Sequence, residues 1–239
     1  MTGPKRHLLL LGPDWEITTR FRTELVKDAV QAGWRVSACA GGPLAEGRKI
    51  FEPLGVECYT IPFQRAGMNP IADIRAYKTA VQLMQRIRPD VALAFTIKPA
   101  TWGLLAARSA RVPIRAALVT GLGFAFIDGK ELRRRVARTI AIALYKRSIA
   151  ASHRVFFQNP DDESTFRDLK ILKDGLAITR VAGSGVDLDL YPYTPVPLGD
   201  LRFVMVARLL KEKGVFEFVE AARIVKREFP AADFVLVGP

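Results

Sequence analysis

The chain has 239 residues, 49% of them hydrophobic and 25% charged, with 18 Gly and 15 Pro. That composition excludes collagen-like, low-complexity and disordered classes, and at ~150 residues per domain the length implies one large domain and part of another. Lys and Arg total 36 against 24 acids, a net charge of +12, so the field favours anionic partners: nucleic acid, an anionic lipid surface or phosphorylated small molecules.

Two cysteines, Cys39 and Cys58, are too few for a disulfide scaffold or a zinc ribbon. Both sit in strand-like apolar runs and are expected as buried free thiols in a reducing cytoplasm. Two histidines, His7 and His153, leave little room for a His-based metal site. The uncharged stretch 116–127 has twelve residues, short of the roughly 18 a membrane span needs. Lys5, Arg6 and His7 precede only four leucines, less apolar sequence than a signal peptide carries, so a cytoplasmic protein is expected.

In chain order, residues 7–11 read as a first strand, followed by a helix over about 18–32 with Phe21, Leu25 and Ala29 on one face. Gly33 ends that helix, and 35–40 is a second strand. A short helix near 43–54 leads to a third strand at 57–61, and 71–87 is a helix with Ile74, Tyr77, Val81 and Met84 in register. Strands follow at 91–95, 115–119, 154–157 and 177–181, with helices between them. This alternation predicts an α/β fold, a doubly wound, Rossmann-like parallel sheet with helices on both faces. Three prolines in the segment 191–200 break the rhythm and mark a linker. The pattern then restarts with a strand at 202–207, a helix over about 215–229 and a strand at 233–237. A lone βαβ unit cannot cover both faces of its own strands. The expectation is therefore a first domain over 1–190, a proline-rich linker over 191–200, and over 201–239 the truncated start of a second Rossmann-like domain.

In open parallel sheets ligands bind beyond the carboxyl ends of the strands, near helix N-termini. The first strand ends at Gly12-Pro13-Asp14, which lacks the G-x-G-x-x-G dinucleotide fingerprint and serves equally as a tight turn or a binding loop. Lys98 stands in the loop before Pro99, where it can meet an anion or simply be solvated. Gly121 and Gly123 in VTGLGF offer backbone N–H groups to an anion or a sugar hydroxyl, or mark an ordinary turn. In ARLLKEKG (207–214), Arg208 directly follows a strand and Lys213-Gly214 directly precedes a helix. Two cations and a positive helix end suit a diphosphate. Between Lys130 and Arg154 lie eight Lys or Arg and one acid, +7 in 25 residues. There Arg133, Arg134, Arg135 and Arg138 oppose Leu132, Val136, Ile140 and Ala143, which fits a membrane-surface helix or a charged outer helix.

Together these segments resemble the family 4 retaining glycosyltransferases, and within them bacterial enzymes acting on polyprenyl-diphosphate-linked saccharides. FTIKPATWG (95–103) is similar to a T-x-K-P segment, VTGLGFAF (119–126) to a T-G-L-G motif, and VFFQNPDD (155–162) to an F-Q-N-x-D-D strand end. GSGVDLDLY (183–191) with VARLLKEKG resembles the pair of motifs that opens the donor domain. The resemblance implies a two-domain GT-B fold and a hexosyl or N-acetylhexosaminyl transferase that works with retention in cell-surface polysaccharide or glycan biosynthesis.

It implies a nucleotide-sugar donor, a UDP-sugar, gripped at its diphosphate by Arg208, Lys213 and Gly214. It implies an acceptor-side cleft at Gly12, Lys98, Thr120, Gly121, Gly123 and Asn159, with no metal and no cofactor. The protein is expected on the inner face of the cytoplasmic membrane, held peripherally to its anionic surface. Two departures stand out: the histidine many members carry is replaced in the segment Val119-Thr120-Gly121, and an E-x7-E segment would lie beyond Pro239. The 239-residue chain alone is accordingly expected to bind acceptor without transferring sugar. The alternative is a non-catalytic module that binds acceptor lipid or a partner. Nucleic acid is disfavoured, because Tyr145 is the one aromatic residue in the basic run.

Overall fold

A computed structural model describes residues 5–63, 69–121, 132–196, 199 and 201–238. They form two compact units, Met1–Asp187 and Leu188–Pro239.

The first unit is built on seven parallel strands: β1 (His7–Asp14), β2 (Arg35–Gly41), β3 (Glu57–Thr60), β4 (Val91–Phe95), β5 (Ile114–Val119), β6 (Arg154–Phe157) and β7 (Ala177–Arg180). Their order across the sheet is β3-β2-β1-β4-β5-β6-β7. The four leucines of β1 explain why it is central. A strand covered on both faces reads as an unbroken apolar run. Its side chains alternate between the faces, Leu9 and Leu11 entering one core and Leu10 the other.

Helices α1 (Trp15–Gln31) and α2 (Leu44–Phe51) pack on the Leu10 face, through Trp15, Val26 and Phe51. Helices α3 (Pro70–Ile87), α4 (Leu104–Ser109), α5 (Leu132–Ala150) and α6 (Pro160–Asp168) pack on the other. The change of side falls between β1 and β4, which pair directly from Leu8↔Val91 to Leu11↔Ala94. That is a topological switch point, where the carboxyl ends of neighbouring strands leave a crevice.

The expected strands are present and the α/β class holds, but α1 turns a different face inward, α3 only partly the expected one, and α5 leaves part of its apolar set exposed. In α1 the buried side is Trp15, Thr18, Arg22 and Val26, while Phe21 and Leu25 are 45% and 40% exposed. Trp15 moves the register: its fully buried indole lies edge-on to Phe51 at 6.3 Å, in a space left by Gly47, where a Cβ would meet the ring. In α3, Met84 of the expected face is buried and Tyr77 and Val81 pack against the core, but Ile74 is exposed and Asp73, Ala76, Ala80 and Leu83 are buried beside them. In α5, Ile140 and Ala143 of the apolar set opposite the arginines are exposed. The helix instead seats Tyr145, Ser148 and Ile149, with Tyr145 edge-on to Phe166 at 5.1 Å.

The second unit holds a parallel pair, β8 (Arg202–Val206) and β9 (Asp233–Val237), and α7 (Val215–Glu228). Phe203 stacks on Phe234 at 4.8 Å, and Phe218 of α7 meets Phe234 edge-on at 5.7 Å. Residues 191–196 carry no helix or strand, and Pro197, Leu198 and Asp200 of the expected linker lie outside the described residues.

Candidate functional site

The carboxyl edge of the seven-stranded sheet gathers most of the candidates in the first unit. At the end of β1, Asp14 caps α1, its carboxylate accepting from Ile17 N at 2.8 Å. Gly12 is buried, and a Cβ there would run into Thr18 Oγ1 and lie 2.9 Å from the Phe95 ring. Its hydrogen side chain is thus what lets α1 and the end of β4 close over β1.

At the end of β4 the chain makes a strained turn. Thr96 adopts φ +63°, a conformation β-branched residues rarely take, and its Oγ1 is sealed from solvent without a partner. Lys98 does not sit in a loop as expected. It lies within the first turn of the helix, just ahead of a π-helical turn at Pro99–Gly103, and its Nζ is 2.7 Å from Asp73 Oδ1 in the first turn of α3. Both side chains are mostly buried.

Thr120 and Gly121 follow β5 and are half-buried, with Gly121 at φ +139°; Gly123 lies outside the described residues. At the end of β6, Asn159 is committed to its own helix. Its Oδ1 accepts from Asp162 N at 2.7 Å, and its Nδ2 donates to Asp162 Oδ2 at 2.8 Å. The neighbouring Gln158 reaches across the edge instead, Nε2 donating to Ser184 Oγ at 3.2 Å.

Sequence reasoning missed three residues here: Arg22, Gln158 and Ser184. Arg22 is 4% exposed, lies over the Phe95 ring at 4.8 Å, and donates from Nη1 to Ser184 Oγ at 2.9 Å. The spacing Trp15–Thr18–Arg22–Val26 carried the signal, but a cation within it looked like a solvent-facing position.

In the second unit, Arg208 follows β8, Lys213 closes a 3-10 turn over Lys211–Lys213, and Gly214 at φ +83° turns the chain into α7. Only glycine enters that left-handed conformation freely. Arg208 and Lys213 are both exposed, and neither pairs with a described carboxylate. Of the basic helix, Arg135 is exposed and Arg138 half-buried; the side chains of Arg133 and Arg134 lie outside the described residues.

Other features stand away from this edge. A cavity of ≈ 420 Å³ lined by Met84, Arg88, Asp90, Arg111, Val112 and Pro113 opens at the opposite, amino edge of the sheet. Cys39 and Cys58 are free and buried; burial pushes the Cys58 thiol up to about 11 and Cys39 further, so neither is a nucleophile at neutral pH.

The glycosyl transferase 4-like domain model matches residues 18–182, more than half of the chain. The chain belongs to that family. Among curated relatives, it is 28% identical over 207 residues to the N,N'-diacetylbacillosaminyl-diphospho-undecaprenol alpha-1,3-N-acetylgalactosaminyltransferase of Campylobacter jejuni, covering 82% of this chain and 54% of that protein. It is 25% identical over 197 residues to the UDP-Gal:alpha-D-GlcNAc-diphosphoundecaprenol alpha-1,3-galactosyltransferase of Escherichia coli, covering 77% of this chain and 49% of that protein. The chain thus spans about half the length of the curated relatives it matches. The crystal structure of HepE from Anabaena, in complex with UDP and glucose, superposes with TM-score 0.65 at 13% identity, over 98% of this chain and 70% of that one. That likeness shows the fold, which is GT-B, as the family resemblance implied. Among the described residues no helix is long and apolar enough to cross a membrane.

Proposed function

We propose that this chain supplies the acceptor-side domain, residues 1–190, a linker over 191–200, and the opening of the nucleotide-sugar domain, residues 201–239, of a retaining glycosyltransferase. The enzyme moves a hexose or N-acetylhexosamine from a UDP-sugar to a polyprenyl-diphosphate-linked saccharide. The observation that carries this reading is the match over most of the chain to two transferases, both named for acceptors on undecaprenyl diphosphate. Both are also named for alpha-linked products, which fits retention from an alpha-linked donor. The same names weigh against a non-catalytic module, and the family gives no support to a nucleic-acid partner.

In this reading Arg208, Lys213 and the Gly214 turn hold the donor diphosphate. Their charge offsets what develops on the departing nucleoside diphosphate as the glycosidic bond breaks, a contribution of roughly several kcal/mol. The cationic side chains and the helix end supply that stabilisation with no metal. The carboxyl edge, with Gly12, Lys98, Thr120, Gly121, Gly123 and Asn159, receives the acceptor. Helix α5 holds the protein peripherally to the anionic inner face of the cytoplasmic membrane, supported by the exposure of both Arg135 and Ile140. The test is transfer by the gene product as the cell makes it, given a panel of UDP-sugars including UDP-galactose and UDP-N-acetylgalactosamine and a polyprenyl-diphosphate-linked sugar. Turnover that retains configuration supports the reading; donor hydrolysis without an extended lipid-linked product overturns it.

A further inference from the structure

Arg22 is a buried cation with no acid among the described residues to balance it. The guanidinium has five N–H groups. Both protons of Nη1 are spent, one on Phe21 O at 2.9 Å and one on Ser184 Oγ at 2.9 Å. Nε is sealed from solvent without a partner, and no described acceptor takes a proton from Nη2. No described carboxylate pairs with it, and burial lowers its pKa from the ordinary guanidinium value with no charged neighbour contributing. A charge taken out of water persists in a fold only when something compensates it.

Its neighbours are donors as well. Ser184 Oγ accepts from both Arg22 and Gln158, which leaves the hydroxyl proton to be given away. Gln158 Nε2 has a second proton beyond the one on Ser184. Ser184 sits exposed between Gly183 at φ +78° and Gly185 at φ +74°, so the cluster reaches the surface through it. Beneath, the Phe95 ring holds the guanidinium plane at the carboxyl end of β4, directly before the strained Thr96. Three side chains from α1, the end of β6 and the turn after β7 thus converge with unspent donors and no unspent acceptor except carbonyl oxygen.

We propose that Arg22, Ser184 and Gln158 form an anion subsite on the acceptor side that takes the phosphoryl oxygens of a diphosphate ester. An oxyanion with several lone pairs is the ligand such a donor cluster satisfies, and a planar guanidinium fork matches phosphate with two parallel bonds. The carrier of that diphosphate is a prenyl chain. This assignment of carrier rests on the acceptor-side reading above; the anion chemistry of the three residues does not.

The experiment is calorimetric titration of the 239-residue chain carrying Arg208→Ala and Lys213→Ala. That background removes the proposed donor grip, so its failure and this one are read separately. Inorganic diphosphate is expected to bind, and adding Arg22→Met weakens binding at least tenfold, with Ser184→Ala weakening it several-fold. Farnesyl diphosphate competes at the Arg22-dependent site and UDP does not. Urea unfolding separates this role from a structural one. Removing an uncompensated buried charge leaves the midpoint in anion-free buffer unchanged or higher, while diphosphate raises the melting temperature of the Arg22-containing chain only. Diphosphate binding indifferent to Arg22→Met, or absent in the background, overturns the subsite. Should Arg22→Met not fold, Ser184→Ala together with Arg22→Lys decides, and unchanged binding in both overturns it. UDP in place of farnesyl diphosphate at the Arg22-dependent site keeps the anion chemistry and overturns the prenyl carrier.

Discussion

Lys98 and Asp73 are joined by a 2.7 Å ion pair between the first turn of one helix and the first turn of another, with side chains only 16% and 12% exposed. Breaking a buried pair strands the surviving charge, so Lys98→Ala should cost about 2–4 kcal/mol in urea unfolding. Lys98→Met with Asp73→Leu, which removes both charges, should recover most of that loss. If Lys98 also meets the acceptor, the double variant will be stable yet bind acceptor at least tenfold more weakly. Recovery of both stability and acceptor binding would confine Lys98 to a structural role.

Gly12 offers a sharper contrast between packing and binding. A Cβ at this position meets Thr18 Oγ1 and the Phe95 ring, and neither can retreat without moving α1 or β4. Gly12→Ala should destabilise the chain by about 1–3 kcal/mol, the usual cost of overpacking. Gly12→Ala with Thr18→Ser leaves the hydroxyl in place and should be no better, whereas Gly12→Ala with Thr18→Ala opens the space and should recover part of the loss. Equal midpoints for all three variants would show that the Gly12 contact is slack.

The sheet was legible in the sequence because strands buried on both faces leave unbroken apolar runs between helical patterns, and the four leucines of β1 are the clearest case. The helix faces were less legible. Periodicity in α1 pointed to Phe21 and Leu25, since these are the large apolar residues, while the structure buries Trp15, Thr18, Arg22 and Val26. Trp15 lies at the very start of the helix, outside the expected span, and Arg22 breaks the rule that cations face water. The candidate site divided in the same way. Glycines and lysines at strand ends could be found by position, but Gln158 and Ser184 matter through a long-range contact that no local pattern encodes. Asn159 shows the converse: the motif drew attention to it, and local capping of α6 accounts for the hydrogen bonds its side chain makes.

Acid should weaken the fold before the carboxylates titrate. His7 is 4% exposed, its Nε2 is 2.8 Å from Ser37 Oγ, and its pKa lies below the ordinary value, chiefly through burial and then through Arg35. Glu57, Asp90 and the Ile87 carbonyl oppose that shift without cancelling it. A lowered histidine pKa means the unfolded chain takes the proton first. Stability is therefore full above about pH 7.5 and falls as pH drops through ~6.5 toward the folded value. His153 is lowered in the same direction by burial, Arg115 and Lys173. Urea midpoints measured from pH 8 to pH 5 should decline, and His7→Gln should remove part of the slope while His153 keeps the rest. A flat profile for the unaltered chain would contradict both shifts.

Arg208 and Lys213 bracket the turn into α7 without a described acid partner, so their removal should leave the fold nearly unchanged. In the gene product as the cell makes it, either alanine variant should lower transfer by about 2–4 kcal/mol in ΔG‡, roughly 30-fold to 1000-fold. If both act on one diphosphate, as proposed, the double variant should lose less than the product of the single losses. Full transfer by the double variant would remove the donor grip from this turn.

Helix α5 provides the last prediction. Between Lys130 and Arg154 the chain carries +7, yet the helix also leaves Ile140 45% exposed and Ala143 exposed, with Arg135 on the surface nearby in sequence. A purely solvated outer helix gains nothing from exposed isoleucine, whereas an interfacial helix inserts such a side chain between headgroups while its arginines meet anionic lipid. Each basic residue near such a surface contributes ~1 kcal/mol, and that part is screened by salt. Flotation with phosphatidylglycerol-containing vesicles should therefore carry the chain upward, and neutral phosphatidylcholine vesicles should not. Replacing Arg133, Arg134, Arg135 and Arg138 with Gln should abolish flotation at 0.15 M salt, while Ile140→Ser should weaken it by a smaller factor that persists when salt is raised. Circular dichroism of the quadruple variant checks that α5 still forms. Binding that ignores both the arginines and the salt would assign any membrane contact to a different surface, and binding that ignores Ile140 alone would make the contact electrostatic only.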